Sequence, residues 1–336
     1  MATFLAFGEL LMRIATPRSS PGFEPKQLSS SFCGAEANIA AGLAGFGHSA
    51  GLASVVPDNS IGSAAKDSLR AVGLNADAVM AMPARMGLLF LEPGASARAS
   101  RITYDRAGSA FANWDWQSVD WKTLLTNKDW LITSGITAAL GDGPLSALKE
   151  AMTTARAMGV KVAFDCNFRP TLWQGREGDA PEILRELSLG ADLLLAGRRA
   201  IGLITERTFN EGDDNSQFAA AAHHVFALSA HIHHVAATRR QILSSDRHRM
   251  TGLVASRDGI GVTDTVEIDA IVDRVGTGDA FGAGVLHGLT SGFSLDDTAA
   301  FALACSRWAH SIEGDFMRAS LDDIGHLRGN QSDVRR

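Results

Sequence analysis

Cysteine is scarce and scattered. Cys33, Cys166 and Cys305 are the only three in 336 residues, and no two form a C-x-x-C pair. An odd, dispersed set excludes a disulfide framework and predicts reduced thiols in a cytoplasmic protein. An excess of positive charge is also missing: 31 Lys and Arg against 37 Asp and Glu leave a net charge of −6. A mildly acidic chain carries no electrostatic footprint for nucleic acid. It lacks the basic amphipathic stretch that an anionic membrane surface attracts. No run approaches the ~20 apolar residues of a membrane span. The stretch Met1–Glu9 has no basic n-region and meets a charge at Glu9, which excludes a signal peptide. Nucleic acid and membrane are therefore excluded as partners. There is no internal repeat and no long block of like charge. What is present is apolar material, 46% of the chain, enough for one large domain with an appendage.

The order of elements points to an α/β protein. Thr3–Phe7 is an apolar run that ends at Gly8 and reads as a buried strand. Small residues at helical spacing from Ala35 to Phe46, closed by Gly47, predict a tightly packed helix. Ala50–Val56 reads as a strand and Ser63–Val72 as a helix closed by Gly73. Beyond residue 107 strands and helices alternate. The strands are Trp130–Thr133, Val160–Asp165, Asp192–Leu195, His234–Ala237 and Thr265–Val272; the helices are Leu145–Met158, closed by Gly159, and Pro181–Leu189. Such alternation implies a mostly parallel sheet covered by helices on both faces. Two strand-rich stretches, 11–33 and 83–106, interrupt it. They are expected to meet as a small β-sheet lid over the carboxyl ends of the main strands, where open α/β sheets bind ligands. Residues 1–10, 34–82 and 107–330 then form the core, and 331–336 a tail expected to be disordered.

One segment carries chemistry by its spacing. Gly276-Thr277-Gly278-Asp279 falls where a strand turns into a helix, with Phe281, Val285, Leu286 and Leu289 on one helical face and Gly292 at its end. Free N–H groups at a helix N-terminus make an anion site, and glycine lets a ligand approach the backbone. Phosphoryl transfer uses such a site, and a carboxylate there can accept the proton of an attacking hydroxyl. By spacing alone Asp279 is equally readable as a helix N-cap. No Gly-Lys-Ser/Thr follows, which excludes a P-loop, and the third glycine of a dinucleotide fingerprint is absent.

Asp273-Arg274-Val275-Gly276-Thr277-Gly278-Asp279-Ala280-Phe281 resembles the C-terminal signature of the PfkB (ribokinase-like) carbohydrate kinases, D-T-x-G-A/T-G-D. Phe32-Cys33-Gly34-Ala35-Glu36-Ala37-Asn38 resembles their N-terminal glycine-rich signature. The two stand in the right order and the likeness covers nearly the whole chain. It implies a ribokinase-like core with a β lid, ATP and Mg²⁺ as cofactors, Asp279 as base, and an anion hole at Gly276, Thr277 and Gly278. Three segments are similar to the 2-keto-3-deoxygluconate kinase branch: Gly34–Asn38, Tyr104-Asp105-Arg106-Ala107-Gly108-Ser109-Ala110, and Asp165-Cys166-Asn167-Phe168-Arg169-Pro170-Thr171-Leu172-Trp173. The resemblance implies a sugar acid held by Gly34, Asn38, Tyr104, Arg106, Asp165, Asn167 and Arg169. Arginine suits a carboxylate because it forks onto it with two hydrogen bonds. Other sugars of the family, such as 2-keto-3-deoxygalactonate or fructose, remain alternatives, as does a sugar-binding protein without turnover. A homodimer or higher homo-oligomer is also implied.

The chain departs from the pattern in two places. Where the family has N-x-x-E, whose Glu helps position magnesium, it has Gly197-Arg198-Arg199-Ala200. The metal-handling residues are therefore unassigned. Where relatives have K-x-G-x-x-G it has Thr238-Arg239-Arg240-Gln241, which makes Thr238 and Arg239, with Gly276 and Gly278, the nucleotide-binding expectations. The histidines from His223 to His234 offer no third metal ligand at convincing spacing and read as surface residues.

Overall fold

In the computed structural model, which describes residues 1–20, 22, 23 and 27–328, the apolar run Thr3–Phe7 is an inner strand of the main sheet. Leu5 and Phe7 pack into the core on one face of that sheet, Phe4 and Ala6 into the core on the other. A strand covered on both sides has no need of polar alternation, which is why it reads as a continuous apolar run.

The strands in chain order are β1 (Thr3–Phe7), β2 (Leu11–Ala15), β3 (Ser29–Cys33), β4 (Ser49–Pro57), β5 (Val79–Met82), β6 (Gly87–Glu92), β7 (Arg101–Asp105), β8 (Trp130–Ser134), β9 (Lys161–Asp165), β10 (Leu193–Leu195), β11 (His234–Ser244), β12 (Arg247–Ser256), β13 (Ile260–Val262) and β14 (Val266–Ile268). Ten form one sheet in the order β13-β12-β11-β10-β9-β8-β1-β4-β5, with β14 paired to β12. From β11 to β5 every pairing is parallel; β12, β13 and β14 join antiparallel. The strand order reverses at β1, which lies between β4 and β8, so the carboxyl ends of β1, β8 and β9 border a crevice.

The remaining four strands form a separate sheet in the order β3-β2-β6-β7, all drawn from the two strand-rich stretches. Its inner face carries Leu11, Ala15, Cys33, Leu89 and Leu91, with Tyr104 packed against them. Val275, which leads into the glycine turn, packs on the same patch.

Helices cover both faces of the main sheet. The helix Ala35–Gly45 ends at left-handed Gly47 (φ 83°), whose N–H reaches Ala44 O while that of His48 reaches Leu43 O. Gly73, Gly159 and Gly292, the other expected helix stops, share the positive φ. Small residues let backbones approach: a Cβ on Gly42 would lie 2.8 Å from Ala283 Cβ, and one on Gly284 2.5 Å from Ala302 Cα. Ala35–Gly45, Thr277–Thr290 and Leu295–His310 are thereby locked together.

Three expectations need correction. The strand expected over Thr265–Val272 is only Val266–Ile268, because Ala270 turns to a left-handed φ of 52° and breaks the extended run. The strand begun at His234 runs on to Ser244 and folds back through β12 as a hairpin. Its turn is tied to the small sheet, where Ser245 N–H donates to Ser96 O at 2.9 Å and Asp246 accepts from Ser96 N–H at 2.7 Å. The helices Asp214–Leu228 and Leu295–His310 were not expected from periodicity. The tail 331–336 lies outside the described residues.

The tie between the two sheets is a buried ion network. Arg13 on β2 pairs with Asp273, just before the glycine turn, and with Asp315 after the helix Leu295–His310. Burial acts to lower the arginine's pKa, but the two carboxylates outweigh it and hold the guanidinium charged. Replacing Arg13 by Ala would leave two buried carboxylates uncompensated. The expected loss is about 3–5 kcal/mol of unfolding free energy in urea titration; a loss below about 1 kcal/mol, the scale of a surface pair, would show that the network is not structural.

Candidate active site

A cleft of about 1230 Å³ lies between the two sheets, at the carboxyl ends of the main strands. Every residue expected from the sequence to bind sugar or nucleotide, or to act in catalysis, lines it. The manner in which each does so differs from residue to residue.

Gly276 is the N-cap of the helix Thr277–Thr290 and takes a left-handed φ of 79°; a Cβ there would also meet Asp315 O at 2.7 Å. Thr277 Oγ1 donates to Arg274 O at 3.0 Å and fixes the turn. Gly278 has a different reason. A Cβ there would meet nothing within 4 Å. The free space over it is the space above the first N–H groups of the helix, which have no intrahelical acceptor. That is the geometry of an anion hole.

Asp279 follows in the first turn of that helix. It is half-buried, and its pKa is pushed up to about 8, first by desolvation and further by the nearby charges of Asp165 and Asp315. The Asn38 amide, which donates to Asp279 Oδ2 at 2.6 Å, and the charge of Arg169 oppose the rise. Its side chain makes no capping hydrogen bond to its own helix, since Gly276 occupies the cap. The N-cap reading of Asp279 therefore falls. Asn38, expected to touch sugar, holds this carboxylate with its amide, while its Oδ1 accepts from Gly34 N–H at 3.3 Å. Gly34 itself is demanded by packing, since a Cβ there would lie 2.4 Å from Glu9 O.

Asp165 ends β9 and is raised to about 6, chiefly by desolvation, with Arg169 opposing. Its carboxylate accepts from Asn167 N–H at 3.0 Å and from Asn167 Nδ2 at 3.2 Å, which holds Asn167 at a left-handed φ of 37°. Asparagine tolerates that conformation. Tyr104 faces the cleft from β7 with the Arg106 guanidinium 5.5 Å from its ring centre. Burial raises its hydroxyl pKa.

The two arginines expected to take a carboxylate are not equivalent. Arg106 is buried and already committed: Nε donates to Glu9 Oε2 at 2.7 Å and a terminal nitrogen lies 2.5 Å from the same oxygen, while Ser109 holds the other. Arg169 is exposed to the cleft and, among the described residues, its side chain makes no hydrogen bond or ion pair. Its charge reaches Asp165, Tyr104 and Asp279. Of the nucleotide expectations, Thr238 lies open on β11, but Arg239 is tied to Asn215 Oδ1 at 2.6 Å and Thr251 Oγ1 at 3.0 Å. Sequence reasoning missed Glu9 and Glu36. Glu36 is buried against Ser134 and Thr137 at 2.6 and 2.9 Å, beneath the site. It also missed Arg240 and Arg274, which line the cleft without a carboxylate partner. Arg274 stands where the family signature has Thr, and that mismatch was the signal available.

No three His, Cys, Asp or Glu side chains among the described residues stand close enough to hold a metal ion. At the N-x-x-E position Arg198 instead donates to Phe209 O at 2.6 Å. His231 and His233 lie in the loop before β11, and among the described residues no helix is long and apolar enough to cross a membrane.

The balance at Asp279 is directly measurable. Carbon-13 carboxyl NMR should show Asp279 titrating near 8. Asn38→Ala removes a hydrogen bond that favours the charged form, so the midpoint should move higher. A midpoint in the ordinary range near 4, or a downward shift in the variant, would overturn this account.

The whole-chain comparisons agree with this geometry. Residues 1–315 match the family model for pfkB family carbohydrate kinases. A 2-dehydro-3-deoxygalactonokinase from Haloferax volcanii is 29% identical over 100% of this chain and 99% of its own length. The crystal structure of a 2-dehydro-3-deoxygluconokinase from Thermotoga maritima superposes with a TM-score of 0.93 at 32% identity, covering 98% of this chain and 99% of the other. A PfkB family carbohydrate kinase from Listeria grayi gives a TM-score of 0.90 at 31% identity, covering 98% and 100%. With two glycine signatures brought to one cleft by a ribokinase fold, this chain belongs to the pfkB family of carbohydrate kinases, phosphotransferases that act on a hydroxyl acceptor.

Proposed function

We propose that the protein transfers the γ-phosphate of ATP to a hydroxyl of 2-keto-3-deoxygluconate, with Asp279 as general base. The observation that carries this reading is the juxtaposition of a helix N-terminus open above Gly278, a carboxylate held by Asn38, and an unpaired arginine, Arg169, whose charge reaches that carboxylate. The Asp279 carboxylate takes the hydroxyl proton as the oxygen–phosphorus bond forms, and ADP leaves with the electrons of the broken phosphorus–oxygen bond. N–H groups at the glycine turn receive the charge on the migrating phosphoryl group. Arg169 holds the sugar carboxylate, Asp165 and Asn167 its hydroxyls, and Tyr104 covers it from the small sheet. That sheet acts as a lid that keeps water from the phosphoryl group. In this reading residues 1–10, 34–82 and 107–330 form the core and 11–33 and 83–106 the lid.

Magnesium belongs with ATP in this chemistry. The side chains present do not fit a protein-held site, since no acidic cluster forms among the described residues and Arg198-Arg199-Ala200 replaces the acidic motif. Mg²⁺ commonly keeps several waters and rides on substrate phosphates, and no step here is routed through it. The Haloferax relative favours the galactonate epimer as a second reading. A coupled ADP-release assay on both epimers, fructose and neutral sugars with MgATP decides. If no sugar stimulates ADP release while a sugar acid binds by calorimetry, the enzyme reading fails and a binding protein remains.

Asp279→Asn should lower turnover by roughly 10²–10⁴-fold with sugar affinity kept; near-normal turnover would sink the base assignment. The carboxylate is the active form and its pKa is raised, so kcat/KM of the wild type should fall as pH drops through about 8. Arg169→Ala should weaken the sugar acid by about tenfold or more and neutral sugars much less. Equal losses would place Arg169 on phosphate instead.

A further inference from the structure

The cleft contains more arginine than the sugar acid requires. Three of the arginines that line it are already neutralised or tied: Arg106 by Glu9, Arg198 by Phe209 O, and Arg239 by Asn215 and Thr251. Arg169, Arg240 and Arg274 also line it, and among the described residues none of their side chains makes a hydrogen bond or ion pair. A fourth, Arg199, stands exposed at the rim beside Arg198.

Of the free arginines, Arg274 is placed by the backbone beside the glycine turn, and Arg240 lines the same cleft from β11. The main chain of Arg274 is pinned on both sides, its N–H donating to Asp273 Oδ1 at 2.7 Å and its carbonyl accepting from Thr277 Oγ1 at 3.0 Å. Its side chain starts two residues before Gly276 and is free. Arg240 lies on β11 two residues beyond Thr238, so strand alternation puts both on one face. Arg240 and Arg274 line the same cleft, and the charge of each lowers the pKa of the buried His248, after burial itself and with His310 adding to it. Arg240 is likewise lowered, first by desolvation and then by Arg274 and Arg169.

Guanidinium groups gathered without a counter-ion repel one another. A cleft lined by one sign of charge concentrates an anion, and an anion with several oxygens resolves the repulsion through bidentate hydrogen bonds. Arg169 serves the sugar end, where its field reaches Tyr104 and Asp279. Arg240 and Arg274 are left for the second anion of the reaction.

We infer that Arg240 and Arg274 form a guanidinium pair that receives the phosphate chain of the nucleotide beside the glycine turn. The inference rests on the kinase reading and goes beyond it in assigning the counter-charge. Arginine side chains neutralise the polyphosphate in a chain whose acidic magnesium-positioning motif is replaced by Arg198-Arg199-Ala200. It also moves the nucleotide contact on β11 from Arg239 to Arg240.

The test uses Arg240→Ala, Arg274→Ala and Arg274→Gln in the full chain. Calorimetry with ATP and with inorganic tripolyphosphate is read beside steady-state KM for ATP and for the sugar acid. Each variant should bind ATP and tripolyphosphate roughly 10- to 100-fold more weakly, with the sugar-acid KM within about threefold. Melting temperatures of the ligand-free variants should equal or exceed that of the wild type, because a repulsive contact has been removed. A loss that falls on the sugar acid instead, or a lowered melting temperature in all three, overturns the assignment. Wild-type binding of both anions with unchanged variants overturns the arginine pair alone. A wild type that binds neither ATP nor tripolyphosphate overturns the kinase reading with it.

Discussion

Arg13 is buried between two carboxylates, and the site depends on it. It projects from β2 of the small sheet to Asp273 and Asp315, two acids that flank the glycine turn in space but lie far apart in the chain. Removing three charged groups from water is costly, so the arrangement is tolerated only because each charge is answered. In return it sets one geometry. Asp273 also accepts from the N–H groups of Arg274 and Val275, and Gly276 is pressed against the backbone of Asp315. The same network therefore fixes the small sheet, the turn and the side-chain origin of Arg274.

The carboxylate of Asp279 shows a second balance. Burial and two neighbouring acids push Asp279 towards the neutral form, while Asn38 and the charge of Arg169 pull it back. A base with a pKa near the working pH is matched to proton transfer from a hydroxyl, and the same opposing forces explain why the residue is not a helix cap. Gly276 takes the cap position, leaving the aspartate side chain free to face the cleft. Charge is distributed around this centre in pairs. Acids near the sheet ends answer Arg13 and Arg106, and the arginines left over face the empty volume.

Much of this was legible in the chain. Apolar runs without alternation announced a parallel sheet, because strands buried on both faces need no polar side. Gly47, Gly73, Gly159 and Gly292 ended their helices where expected, since a left-handed residue at a helix C-terminus strongly favours glycine. The glycine turn stood out because two glycines and an acid at a strand–helix junction have few structural uses. The hairpin β11–β12 did not stand out. Its outer half extends the main sheet until its turn meets the small sheet at Ser96, and its mixed polar sequence carries no period that periodicity can detect.

Residue types and their spacing were thus determined by the sequence itself: an α/β core, a small second sheet, a glycine turn at a helix N-terminus over Gly276–Gly278 and an acid beside it. Pairing was decided only by the tertiary structure. The sequence offers Arg106 and Arg169 as equals, and Glu9 neutralises one and not the other. It offers Arg239 for the phosphates; that side chain is tied to Asn215 and Thr251, while the side chain of Arg240 has no partner among the described residues. How many of an arginine's five donors remain for a ligand depends on which protein acceptors have reached it. That depends on residues distant in sequence, so local patterning carries no record of it.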